Sequence, residues 1–221
     1  MSFFATLSED GSYQLTQAGY TVIFLAIIAL VLVSCFITKA DQKLKLGTRK
    51  LVFSAMAIAL AVVTSFLKLF HLPMGGSITL FSMLFVVLIG YWYGLRTGIM
   101  AAVAYGLLQL IIDPYILTIP QMLTDYVFAF GALGLSGLFS NAKHGLIKGY
   151  IAGVLGRYFF AFLSGYIFFG AYAADYNMSA VVYSLVYNGI YIFTEAGITL
   201  ILLAIPAVSK ALARIRTAAL Q

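Results

Sequence analysis

The sequence predicts an all-α, polytopic membrane helix bundle on three observations. Hydrophobic residues make up 63% of the 221-residue chain and charged residues only 9%, against roughly 45–50% and 25% for an ordinary soluble domain, so the excess apolar surface has no aqueous place to go. The apolar residues fall in runs of the length that crosses a bilayer, about 20 residues of helix. The basic residues gather in alternate connections between those runs, as they do in cytoplasmic loops.

Seven spans follow in order. The first, about Thr21 to Ile37, follows a polar N-terminus containing Glu9 and Asp10, which lacks the basic start of a cleaved signal peptide; it reads as a retained span. Lys39, Lys43, Lys45, Arg49 and Lys50 come next and place that loop in the cytoplasm and the N-terminus outside. Span two runs from Leu51 to Leu67, three from Ile78 to Trp92, four from Thr97 to Ile112, five from Gln121 to Phe139, six from Lys148 to Phe169 and seven from Ala180 to Val208. Alternation then puts Arg96, Lys143, Lys148, Lys210, Arg214 and Arg216 on the cytoplasmic side with the C-terminus, and leaves Lys68 as the basic residue outside. Residues 1–45 form an N-terminal extension carrying one transmembrane helix, and residues 46–221 a six-helix substrate-binding membrane domain.

The net charge of +6 reports this topology and an affinity for the anionic face of the lipid bilayer. The basic residues are spread over separate loops with no concentrated patch, which argues against nucleic acid. Cys35 is alone, and His71 and His144 fall on opposite sides of the membrane, so neither a disulfide framework nor a metal site is expected. No cofactor motif is present. Trp92, Tyr93, Tyr150 and Tyr158 read as belt residues near the cytoplasmic face.

The chemistry concentrates in a polar segment, Asp113-Pro114-Tyr115 through Pro120-Gln121 to Asp125-Tyr126. A carboxylate in a membrane span is costly and marks a functional site by default. Gln121 and Asp125 lie four apart, and Ser184, Asn188, Tyr191 and Glu195 follow at spacings of three or four, so each set shares one helix face. With the turn Pro73-Met74-Gly75-Gly76-Ser77, these regions converge at the extracellular mouth as a cage for a small cationic molecule. In it, Asp125, read as having no nearby Lys or Arg, offsets the charge, Asn188 and tyrosine hydroxyls give directional hydrogen bonds, and Tyr115, Phe169, Tyr172, Tyr183 and Tyr187 offer aromatic faces. The alternative for the polar groups is interhelical hydrogen bonding, and Glu195 reads equally as a structural group or a proton carrier. Ala55 and Ala59, and Ala57 and Ala61, repeat at four on span two, a surface that lets another helix approach closely.

At this point the residues carry a resemblance. Leu72-Pro73-Met74-Gly75-Gly76-Ser77-Ile78-Thr79, Asp113-Pro114-Tyr115, Pro120-Gln121, Asp125-Tyr126-Val127-Phe128, Leu133-Gly134-Leu135-Ser136-Gly137, Phe162-Leu163-Ser164-Gly165 and Tyr183-Ser184-Leu185-Val186-Tyr187-Asn188 resemble, in order and spacing, the thiamine-specific S component of energy-coupling factor transporters. The resemblance implies a six-helix core that captures thiamine from outside and assembles with a transmembrane coupling subunit and two ATPase subunits in the cell membrane. It implies that Tyr115, Asp125, Tyr183 and Asn188 bind the vitamin, with Phe169 expected beside them from its place on the binding side, and that Ala55, Ala57, Ala59 and Ala61 meet the coupling subunit. The sequence departs from the pattern at Ala161, where a histidine is expected, and at Phe169, where the aromatic is often tryptophan. Those departures leave room for a pyrimidine or thiazole precursor as ligand. The N-terminal span is a further departure.

Two other classes compete. An intramembrane enzyme would use Asp113 and Asp125 as a carboxylate pair, yet no His-Glu-x-x-His or Gly-x-Ser-x-Gly is present, and the expectation is no enzyme. A proton-coupled carrier of a small heterocyclic cation or thiamine precursor would load and unload protons at Asp125 and Glu195. The lack of a Gly-x-x-x-x-Gly-Lys-Ser/Thr run means that ATP, if used, is hydrolysed by a partner.

Overall fold

The computed structural model describes residues 5–7, 13–19, 21, 25, 47–72 and 76–221. Apart from Thr21 and Leu25, the first expected span lies outside the described residues, as do Lys39, Lys43, Lys45, Cys35, Gly75 and the expected boundary at residue 45. Near the N-terminus β1 (Ala5–Leu7) pairs antiparallel with β2 (Tyr13–Leu15). From residue 47 on, the described residues form helices and a hairpin: α1 (Thr48–Ser65), β3 (Lys68–His71), β4 (Ser77–Thr79), α2 (Ser82–Tyr93), α3 (Leu95–Ile112), α4 (Ile119–Phe139), α5 (Gly145–Phe168), a 3-10 turn (Gly170–Tyr176), α6 (Ala180–Ala204) and α7 (Pro206–Leu220). Five of these helices, α1, α3, α4, α5 and α6, are long and apolar enough to cross a membrane.

Helix ends shift by a few residues from the sequence reading, and three differences have a clear local cause. Span three starts at Ser82 rather than Ile78, because Ser77–Thr79 pair with Lys68–His71 and Phe81, at φ 63°, turns the chain into the helix. Span seven ends at Ala204, because Pro206 drives Ile205 into an extended conformation (φ −72°, ψ 120°) and opens a separate helix with its fixed φ. The connection between spans two and three is a β-hairpin rather than a plain turn.

Helix α2 has only 12 residues, yet it is the centre of the fold. Met83, Val86, Val87 and Ile89 are fully buried, and a helix buried on every side has no reason to segregate its apolar residues. Trp92 and Tyr150 belong to this core rather than to an interfacial belt: Trp92 packs edge-on against Phe53, and Tyr150 is wholly enclosed.

The close approach of α3 and α4 follows from a match of periods. Ala132–Phe139 of α4 is wound as a 3-10 helix, so Gly131, Gly134 and Gly137 fall on one stripe. They meet Val103, Ile99 and Leu95, which are spaced by four on α3. Three residues of 3-10 helix and four of α-helix each advance about 6 Å, so the two rows stay in register. A methyl group at Gly134 would come within 2.3 Å of the Ile99 amide nitrogen, a backbone atom that cannot yield. Gly134→Ala is therefore expected to destabilise the bundle by about 1–3 kcal/mol, read as a lowered thermal midpoint of the detergent-solubilised protein.

Candidate ligand-binding cavity

Local sequence builds the first wall. Thr118 caps the short turn that starts α4, its Oγ1 accepting from Gln121 N at 3.2 Å, with Pro120 placed just inside the helix start, where its missing N–H costs nothing. Gln121 is thereby aimed inward and is 1% exposed. Its Oε1 accepts from Leu117 N at 2.9 Å. Its Nε2 donates to Tyr115 O at 3.1 Å and to Asp125 Oδ2 at 2.6 Å. The expected pairing of Gln121 with Asp125 on one face is therefore a direct hydrogen bond. The helix widens to a π-helical turn over Leu123–Ala129, a local distortion common at functional sites. Tyr126 completes the clasp: its hydroxyl accepts from Tyr115 N at 2.8 Å and donates to Asp113 O at 2.9 Å.

The opposite wall is α6. Tyr183, Tyr187 and Tyr191, four apart, form a continuous aromatic stripe with centroid separations of 5.6 and 5.8 Å. Asn188 donates through Nδ2 to Ser184 O at 2.9 Å and accepts at Oδ1 from Tyr191 OH at 2.8 Å. Tyr115 and Phe169 stack at 5.8 Å and close the side between α4 and α5. The hairpin covers the mouth, tied to α6 by Gly76 N donating to Tyr187 OH at 2.9 Å and to the end of α3 by the Lys68–Asp113 ion pair.

These elements enclose a cavity of about 160 Å³ whose lining includes Tyr115, Asp125, Phe169, Tyr183 and Asn188. All five expected ligand residues are thus brought together and Tyr187 joins them, whereas Tyr172 is not among the lining residues and packs at a tilt against Phe169, 6.1 Å between ring centroids. Ala161 also lines the cavity, so its small side chain enlarges the space in place of a hydrogen-bonding ring. Ser164 faces the Asp125 carboxylate without completing a hydrogen bond of normal geometry.

The geometry corrects or sharpens four expectations. Asp125 is not remote from every cation: Arg157, from the middle of α5, lines the same cavity and lies over the Phe130 ring at 4.2 Å. The sequence carried the signal, an arginine midway along an apolar span. Asp113 is no partner for Asp125, being exposed at the mouth and engaged with Lys68. Glu195 points away to the start of α2, where Oε1 accepts from Ser82 Oγ and Met83 N, both at 3.0 Å, and Oε2 from Thr79 Oγ1 at 2.6 Å. The four alanines of α1 divide: Ala57 and Ala61 are 3% and 0% exposed inside the bundle, while Ala55 and Ala59 face outward.

Residues 51–214 match the family described as Thiamine transporter protein. The chain is 32% identical to the thiamine transporter ThiT of Bacillus subtilis over 154 residues, 63% of this chain and 78% of that protein. It is 34% identical over 113 residues to the ThiT of Lacticaseibacillus paracasei, covering 43% of this chain and 56% of that one. The solved structure of ThiT from Listeria monocytogenes superposes with a TM-score of 0.58 at 29% identity, covering 72% of this chain and 96% of that chain.

Proposed function

The chain belongs to the thiamine transporter protein family, and from that premise we propose how it captures and delivers its substrate. It is a multi-pass membrane protein, not an enzyme, and serves thiamine uptake as a substrate-specific S component. Thiamine joins a permanently cationic thiazolium to a flat aminopyrimidine. The observation that carries the site reading is the pairing, in one cavity, of a carboxylate held in place by Gln121 with two sets of stacked rings. Asp125 offsets the thiazolium charge; Tyr115 and Phe169 stack on one side and Tyr183 on the other. Asn188 retains a lone pair on Oδ1 for the pyrimidine amino group.

The mouth faces outward. The cations Lys143, Lys148, Lys210, Arg214 and Arg216 collect at the opposite end, which the positive-inside rule makes cytoplasmic, with the N-terminus outside and the C-terminus inside. Energy comes from a transmembrane coupling subunit and two ATPase subunits of an energy-coupling factor module. Ala55 and Ala59, on the exposed face of α1 beside Met56 and Leu60, form the small-residue surface for the coupling subunit. Three donors on Glu195 favour a structural role for one of the two carboxylates that a proton carrier would use, Asp125 being the other.

Labelled thiamine should bind saturably to the purified chain alone, whereas vesicles should accumulate it only when the coupling subunit, the ATPases and ATP are supplied. Absence of saturable binding rejects the site, and uptake by the isolated chain rejects the coupling. Replacing both Ala55 and Ala59 by Leu should abolish copurification with the coupling subunit and leave thiamine affinity unchanged. Retained copurification would move the interface elsewhere.

A further inference from the structure

Arg157 lies twelve residues from Gly145 and eleven from Phe168, in the middle of α5. A permanently charged side chain at that depth is costly, and the opposite charge that borders the same cavity, Asp125, balances it across the space without an ion pair to it. Among the described residues its guanidinium makes no hydrogen bond and no ion pair, and its recorded contact is with the Phe130 ring face. That contact uses the plane of the guanidinium, while its five N–H donors radiate from the edge, and the side chain borders the cavity.

The two charged side chains of the inner cavity spring from different levels of the bundle. Ser164, which faces Asp125, is seven residues beyond Arg157 on α5, an axial offset of about 10 Å. Arg157 therefore marks the inner end of the cavity, and Asp125 a level nearer the mouth. Resting on the reading of this cavity as the thiamine site, we infer that Arg157 is a specificity-determining residue that fixes the polarity of the bound ligand. The guanidinium repels the thiazolium and donates to the acceptor nitrogens of the pyrimidine ring. The cationic ring therefore stays at the level of Asp125 and the pyrimidine lies inward. The matching ligand class is a molecule with a fixed cation at one end and a neutral, acceptor-bearing heterocycle at the other. Neither a thiazole fragment nor a pyrimidine fragment alone satisfies both levels.

The test uses the purified full chain with two ligands: thiamine, and an analogue in which both pyrimidine ring nitrogens are replaced by C–H. The wild-type protein should prefer thiamine by about ten- to a hundredfold, the range for a hydrogen bond from a charged donor. Arg157→Met should abolish the preference for thiamine over the analogue without lowering analogue affinity. A purely structural role predicts an equal loss for both ligands, and that result overturns the inference. So does a wild-type protein that binds the two equally. Where Arg157→Met fails to fold, Arg157→Lys decides, because its single ammonium should shrink the preference several-fold; an unchanged preference overturns the proposal. Asp125→Asn should weaken both ligands by the same factor, since both carry the thiazolium. If it weakens neither, the site reading fails, and this inference fails with it.

Discussion

Asp125→Asn is expected to weaken thiamine binding by about 2–5 kcal/mol, the range for truncating one partner of a desolvated charge pair, while the purified protein keeps its thermal midpoint. The substitution preserves size and one acceptor oxygen. Gln121 Nε2 can still donate to that oxygen, so the clasp that holds Tyr115 O and Leu117 N survives, and only the negative charge is lost. Arg157 sharpens the effect: with Asp125 neutral, the inner cavity holds an uncompensated cation facing a cationic ligand. Isothermal titration with thiamine and with a neutral analogue, in which an uncharged ring replaces the thiazolium, separates charge from shape. The variant should lose affinity for thiamine and very little for the neutral analogue. Equal losses for both would make Asp125 a packing group.

Much of this site was legible because polar residues stand out against an apolar background. In a chain with 9% charged residues, Asp125, Gln121 and Asn188 each had to face either protein or a cavity, and helical spacing told which neighbours shared their faces. The helices were legible for the same reason, and their order followed from the loops. What escaped was whatever depends on packing between elements. Trp92 and Tyr150 were placed at the membrane interface by residue type, but type says nothing about whether a neighbouring helix covers the ring. Arg157, inside the run Gly156-Arg157-Tyr158-Phe159, is legible by its depth alone, but the cavity that it borders is not. The alanine repeat of α1 gave the right periodicity without saying which of its two faces pointed inward. The hairpin was hidden because its strands are short and its pairing is non-local, and the 3-10 winding of α4 became evident only from its glycines packed against α3.

Glu195 was the residue whose role the sequence left open, and the geometry now predicts a large structural effect. Helix α2 begins at Ser82 with no side-chain cap of its own, so its first N–H groups require an outside acceptor. The Glu195 carboxylate, 3% exposed, supplies it, accepting from Met83 N, Ser82 Oγ and Thr79 Oγ1 and placing negative charge at the positive end of the helix dipole. Glu195→Ala strands these donors in the core and is expected to cost about 3–5 kcal/mol, enough to lose most folded protein on solubilisation. Glu195→Gln should behave very differently. Its amide oxygen replaces Oε1 for Ser82 and Met83, and its amide nitrogen donates to the Thr79 hydroxyl, which can rotate to accept. The loss is then the charge–dipole attraction alone, about 1 kcal/mol. The pair of variants also tests the rival mechanism, because a proton carrier cannot work as glutamine. Thermal unfolding and reconstituted uptake should show Glu195→Gln nearly as stable as wild type and fully competent with its partners. A stable Glu195→Gln protein that binds thiamine but does not transport it would return Glu195 to the transport mechanism and overturn its assignment as a helix cap.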